Sequence, residues 1–177
     1  AEQTVRNKLS YSVNRGRLCK VGQGGIYCVV PPGQPAAEYV PNRFLVASKL
    51  RPDAIIAYHS AFEFTGRANQ VFTTTYYTSA RYKAPLDFRG TTYRCILQRE
   101  RERNSAASGL VRERTDGMEV TVTGPEYTTL ACLDRPLYGG GWEEICRCVV
   151  SLPMLDTDWI LFYLRAIAKP TLAAKVG

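Results

Sequence analysis

The stretch MEVTVTGPEYTTLACLDRPLYGGGWEE, residues 118–144, changes its period part-way along. Up to Thr123, β-branched residues alternate with other types, as in a half-buried strand. Thr123-Gly124-Pro125-Glu126 then sets a capping box, with proline close to the first helical turn, and Tyr127, Leu130, Ala131 and Asp134 continue at helical spacing. That helix must end before Pro136, because proline lacks the donor and clashes with the preceding turn. Three glycines follow, and Glu143 and Glu144 open the next helix. A strand-rich segment that gives way to successive helices is the order of an α+β fold.

Reading upstream, LVRERT (110–115) and MEVTVT (118–123) flank Asp116-Gly117, a pair that suits the two positive φ angles of a type I′ hairpin turn. QVFTTTYYTS (70–79) and the run Leu86–Leu97, interrupted at Arg89-Gly90, are rich in β-branched and aromatic residues. The middle third is therefore expected to be a small, mostly antiparallel sheet. QRERERNS (98–105) alternates charges, as a solvated strand end or mobile loop does. RFLVASKL (43–50) and DAIIAYHSAFEFTG (53–66) are expected to be two helices forming a hairpin around Pro52, with Asp53 as N-cap and Gly66 as C′ glycine. Downstream, 142–152 and 156–169 complete a C-terminal helical segment.

At the N-terminus, Val5, Leu9 and Val13 place one apolar stripe on a helix that stops near Gly16. RLCKVGQGGIYCVV (17–30) alternates on either side of a glycine-rich turn and describes a short ribbon. A helix followed at once by such a ribbon is the pattern of the last helix and wing of a winged helix-turn-helix. PPGQPAAEYVPN (31–42) has four prolines in twelve positions and favours extended chain. The expected organisation is a partial winged helix-turn-helix, helix plus β-wing, at 1–33, a proline-rich linker at 34–42, and a mixed domain at 43–177.

Composition narrows the function classes. In 177 residues, 45% apolar content with 11 tyrosines argues for a packed chain. No run approaches the roughly 18 apolar residues of a membrane span, so a soluble, cytoplasmic protein with no membrane partner is expected. Six cysteines occur without a CxxC pair and beside a single histidine, and Cys146 and Cys148 point apart on a helix, so neither a structural metal nor a cofactor is expected. The net charge of +7 is concentrated: residues 1–30 carry five bases against one acid, 81–114 nine against four, and 115 onward five against eight.

The glycines at 139–141 invite a phosphate-cradle reading, but Glu143 and Glu144 already complement the positive helix end, and no GKS or GKT follows. A structural turn is the better reading. By charge alone the N-terminal helix is either a solvated surface helix or a groove-binding one. Followed by the ribbon, it offers Arg6, Asn7 and Lys8 to a DNA groove, and Arg15, Arg17, Lys20 and Gln23 to phosphates. Arg89, Arg94, Arg99, Arg101 and Arg103 either lie in solvated chain or form a basic face for an acidic partner. His59, in an apolar run beside Tyr58 and Phe62, suits a hydrogen-bonded core position better than a catalytic base. Asp134 and Arg135 are expected to pair locally and fix the turn before the glycines.

GPEYTTLACLDRPLYGGGWEEI resembles the signature of the AbiEi family of type IV toxin–antitoxin antitoxins and related regulators, with Glu126, Leu130, Leu133, Asp134, Arg135, Pro136, Gly140, Gly141, Glu143 and Glu144 at matching positions. RGRLCKVGQGGIYCV is similar to the family's wing and YHSAFEFTG to its Ser-Ala-x-x-x-x-Gly helix, so the resemblance covers nearly the whole chain and is most specific at 123–144. It implies a non-enzymatic antitoxin and autorepressor of a phage-defence (abortive infection) system. Its partners would be operator DNA, given a complete N-terminal domain, and a cognate nucleotidyltransferase-like toxin, counteracted without the need for a stable complex. Two departures accompany it: the chain starts close to the family's recognition helix and ends where the family continues, so the resemblance implies absent first helices. Other classes have different requirements. A nucleic-acid-processing enzyme needs clustered carboxylates with a lysine or histidine, which the sequence does not display, and a DNA-binding transcriptional regulator with a ligand-sensing body needs a sizeable apolar pocket.

Overall fold

The Asp116-Gly117 turn takes left-handed φ angles of 48° and 77°, as the hairpin requires, and it joins the strands β7 (Leu110–Thr115) and β8 (Met118–Thr123). Arg89-Gly90 does the same, with φ of 51° and 75°, between β5 (Leu86–Phe88) and β6 (Thr91–Leu97). With β3 (Ile55–Ile56) and β4 (Thr74–Ser79) these strands form one six-stranded sheet in the order β5-β6-β4-β3-β8-β7. These elements belong to a computed structural model that describes residues 2–98 and 100–176, the side chains of Arg101 and Ser105 excepted. Three of the five strand pairings are antiparallel; β4–β6 and β3–β8 are parallel. The sheet is mostly antiparallel, in an α+β fold.

A separate two-stranded ribbon, β1 (Leu18–Val21) with β2 (Ile26–Val29), follows α1 (Glu2–Asn14). Val21 and the helix α2 (Arg43–Lys49) share one buried cluster with Tyr77, Tyr93 and Cys95 of the body sheet. The ribbon is thus packed against the body through Val21. Helix α1 contributes no buried residue, so its Val5, Leu9, Val13 stripe remains open or half-buried. A second cluster packs Phe62 of α3 (His59–Phe64) with Ile96, Cys132 of α5 (Pro125–Asp134), and Ile145 and Cys148 of α6 (Trp142–Val150). A third joins Tyr127 and Leu130 of α5 to Ala106 of α4 (Glu100–Ala107), Tyr163 of α7 (Thr157–Ile167) and Leu172 of α8 (Pro170–Val176).

Three local expectations are corrected. Residues 53–66 are not one helix: Ile55–Ile56 is a strand between β4 and β8, and helix begins only at His59. The apolar run there is buried as an inner strand, which periodicity cannot tell from a buried helix. Asp53 caps no helix; its carboxylate accepts from Ser79 Oγ and Ala80 N, both at 2.7 Å. Residues 100–107 are helical rather than loop, anchored by the fully buried Ala106. The capping box also does not form. Thr123 is still part of β8 and buried, its hydroxyl 2.6 Å from that of Thr128, so Gly124 becomes the N-cap with Pro125 starting the helix. Glu126 instead accepts from Asp156 N at 3.2 Å.

After α5, Pro136–Gly139 makes a short 3₁₀ turn, and Gly140 and Gly141 take φ of 85° and 89° before α6. A Cβ at Gly140 would stand 2.7 Å from the Phe72 ring, whereas one at Gly141 meets nothing within 4 Å. Gly141→Ala carries only the left-handed backbone cost, about 1 kcal/mol, and Gly140→Ala adds overpacking, for about 3 kcal/mol together. Thermal unfolding should show Tm falling by about 3 °C for the first and about 9 °C for the second. Equal losses would contradict this account of the turn.

Candidate nucleic-acid interface

Helix α1 lies against the ribbon, and an open cleft of about 800 Å³ separates them, lined by Arg6 and Leu9 on the helix and Lys20, Gln23 and Tyr27 on the ribbon. Gln23 sits in the four-residue tip between β1 and β2, where Gly22 and Gly25 take positive φ. The structure therefore brings Arg6 of the helix together with Lys20 and Gln23 of the ribbon. The helical 100° step turns Asn7, Lys8 and Arg15 to the opposite side from Leu9 and Val13. Asn7 Oδ1 there accepts from Gln3 Nε2 at 3.1 Å, and the Arg15 guanidinium lies over the Tyr11 ring, 5.4 Å from its centroid. Arg17 is exposed at the start of the ribbon. The three residues expected to enter a groove side by side are thus split, Arg6 toward the ribbon and Asn7 and Lys8 away from it.

Of the arginines nominated for a basic face, Arg89, Arg94 and Arg103 have described side chains and are spread over different parts of the molecule. Arg89, at the β5–β6 turn, donates to Ala36 O at 2.9 Å. Arg94 is exposed in β6 opposite Tyr76. Arg103 is exposed on α4 beyond the far end of β6; burial would raise the pKa of Asp53, but hydrogen bonds from Ala80 and Ser79, with a lesser contribution from the Arg103 charge, lower it. Seven residues of β6 at about 3.3 Å each put roughly 20 Å between Arg89 and the start of α4. Arg101 lies in α4, and Arg99 falls outside the described residues.

The segment 126–144 places its two final acids in opposite environments. Glu143 is exposed and pairs with Arg147 one turn on, at 2.5 Å. Glu144 is buried at 2% exposure and turned inward, so it does not screen the helix end as its neighbour does. Its Oε1 accepts from the backbone amides of Asn69 and Gln70, each at 2.9 Å, from His59 Nε2 at 3.0 Å and from Cys148 Sγ at 3.4 Å. His59 is the hydrogen-bonded core histidine its context indicated, its ring tilted against Phe72 with centroids 4.2 Å apart, and its Nδ1 lies 3.7 Å from Glu63 Oε1. Glu63 in turn pairs with Arg43 at 2.9 Å and accepts from Phe72 N at 2.7 Å, while Arg43 donates to Phe72 O. His59, Glu144 and Cys148 are of metal-ligating types and lie within 4.8 Å of one another, a grouping that the sequence spacing did not reveal. Their geometry is that of a carboxylate saturated by N–H donors on one oxygen. Burial alone would raise the pKa of Glu144, but the His59 bond, the two amides and Cys148 outweigh it and hold the carboxyl at about 2.

Asp134 and Arg135 do more than pair with each other. Arg135 bonds Glu102 at 3.1 Å and the Tyr58 hydroxyl at 3.2 Å, and Lys169 holds Asp134 at 2.6 Å. Tyr58 itself has a φ of 57°, rare for a bulky residue, at the N-cap of α3. Beneath this network lies a cavity of about 20 Å³, and Gln98 Oε1 and Thr78 Oγ1 beside it have no hydrogen-bond partner among the described residues, which suits one water. Here are the carboxylates and lysine that an enzyme would need, assembled from three helical regions, but each carboxylate is paired with a cation. The cavity is also far too small for a sensed ligand.

No described helix is long and apolar enough to cross a membrane. Compared with protein-family models and with curated proteins, the chain matches none.

The depressed Glu144 pKa carries a sign. Its stabilisation is fully present above the ordinary carboxylate value of about 4.5 and is lost as pH falls toward 2, on the order of 3 kcal/mol in all. Urea unfolding at a series of pH values should show this loss in the native chain. Glu144→Gln should be about 3 kcal/mol less stable at pH 7 and should lose less stability between pH 5 and 2 than the native chain, keeping the part that the lowered pKa of Asp53 supplies; an undiminished slope in the variant would assign the acid sensitivity elsewhere.

Proposed function

We propose that the chain is a non-enzymatic, AbiEi-like antitoxin and DNA-binding autorepressor, whose N-terminal helix and ribbon contact operator phosphates and whose body counteracts a nucleotidyltransferase-like toxin. The observation that carries the DNA half is the convergence of Arg6, Lys20 and Gln23 on one open cleft at the end of the molecule. An exposed helix beside a glycine-tipped ribbon, in a segment of charge +4, supplies the mobile cations that release counterions from a duplex. The antitoxin half rests on the family resemblance at 123–144. The structural role of that segment, with Glu144 buried and the glycines in a turn, fits a scaffold better than a phosphate site. The paired carboxylates of the Arg135 network likewise favour a non-enzymatic body.

Two measurements test the halves separately. Binding to a duplex from the region upstream of the protein's own gene should weaken linearly in log–log salt titration, and Arg6→Ala should lower the magnitude of the slope by about one. Salt-independent binding, or an unchanged slope in the variant, removes Arg6 from the interface. If a nucleotidyltransferase-like reading frame lies directly downstream of this gene, co-expression of the chain should restore growth to cells expressing it, and Arg6→Ala should rescue equally well because neutralisation resides in the body. Failure of the native chain to rescue sinks the antitoxin reading while leaving the DNA reading standing.

A further inference from the structure

Cys19 and Cys28 face each other across the ribbon. Val30 N donates to Arg17 O at 2.9 Å, which makes Arg17 and Val30 a hydrogen-bonded pair of this antiparallel ladder. Bonded and non-bonded pairs alternate, so Cys19 and Cys28, two residues further in, also occupy a bonded position, with Cα atoms about 5.5 Å apart. A disulfide spans about 4.4–6.8 Å between Cα atoms, most often 5.5–6 Å. Both side chains stand on the same face of the ribbon, and both thiols are free. The other cysteines are placed differently: Cys146 is exposed on the outer side of α6, while Cys95, Cys132 and Cys148 are buried in the body.

We propose that Cys19 and Cys28 are a modification site, forming a reversible cross-strand disulfide by exchange with a low-molecular-mass disulfide. Cys28 is the partly exposed member and reacts first. Its thiolate attacks one sulfur of the small disulfide, whose S–S bond breaks and releases one small thiol, leaving a mixed disulfide on Cys28. The Cys19 sulfur then attacks Cys28 Sγ, the mixed bond breaks, and a second small thiol leaves. Two electrons pass from the cysteine pair to the small disulfide, and the two protons end on the released thiols. Cys19 is buried, but its step is intramolecular and needs no access from solvent. The closed ring fixes the strands of the ribbon behind the tip that carries Gln23. Burial and the neighbouring Cys19 push the Cys28 thiol up to about 11, so the exchange is slow near neutrality and its rate follows the small thiolate fraction.

The native chain, and Cys146→Ser to remove the exposed competitor, are equilibrated with mixtures of oxidised and reduced glutathione, alkylated and digested with trypsin. Cleavage after Arg17, Lys20 and Arg43 places the two cysteines on separate peptides, 18–20 and 21–43. Both proteins should yield these peptides joined by a disulfide, lost again in excess reduced glutathione. The rate should keep rising, about tenfold per pH unit, from pH 8.5 to 10. Recovery of 18–20 alkylated and 21–43 alkylated or glutathionylated at every ratio overturns the proposal.

Discussion

A run of polar side chains, from half-buried Arg43 through the buried Glu63 and His59 to Glu144, holds the segment 67–73, which has no helix or strand of its own. Glu144 takes the amides of Asn69 and Gln70, and Glu63 takes that of Phe72. Ser151 at the end of α6 closes the other side by exchanging bonds with Arg67. Buried ions are costly unless partnered, and removing one strands the others, so this run forces α3, the entry to β4 and the start of α6 into a single arrangement. The glycine turn follows from it. Glu144 can reach inward only if the chain reverses sharply after the 3₁₀ turn, and Gly140 must pass against Phe72 where no side chain fits.

With the body fixed in this way, the ribbon is fixed too, because Val21 is buried with Tyr77 and Tyr93. Helix α1 is the exception, since none of its residues is buried. The proposed DNA contacts therefore combine a rigid part, Lys20 and Gln23 on the anchored ribbon, with an adaptable one, Arg6 on the exposed helix. Phosphate contacts tolerate this division, because they depend on charge and reach more than on a single geometry. The cysteine pair lies within the rigid part, in the ribbon strands behind the tip.

Much of the fold was legible in the sequence where local chemistry dictates conformation. Asp116-Gly117, Arg89-Gly90 and the ribbon tip each demand positive φ, and the hairpins they begin are present. Elements whose identity depends on neighbours distant in sequence were not legible. Ile55–Ile56 is a strand only because β4 and β8 flank it, and the parallel pairings arise from the path of the chain rather than from any pattern. The site divides in the same way. Arg6, Lys20 and Gln23 could be nominated from charge and position, and His59 from its apolar context. Glu63 and Arg43 carried no sign beyond an acid in an apolar helical run, and Glu144 resembled its exposed neighbour Glu143 until the fold turned one inward and left the other in solvent.

The claim that the glycine–glutamate segment is architectural, with Glu144 pinning an irregular loop, is tested most directly by hydrogen exchange at single-residue resolution. The amides of Asn69 and Gln70 lie outside helix and strand and would exchange at loop rates if unrestrained. The account predicts protection approaching that of β4, released only on global unfolding. Exchange at the rate of an open loop would contradict it.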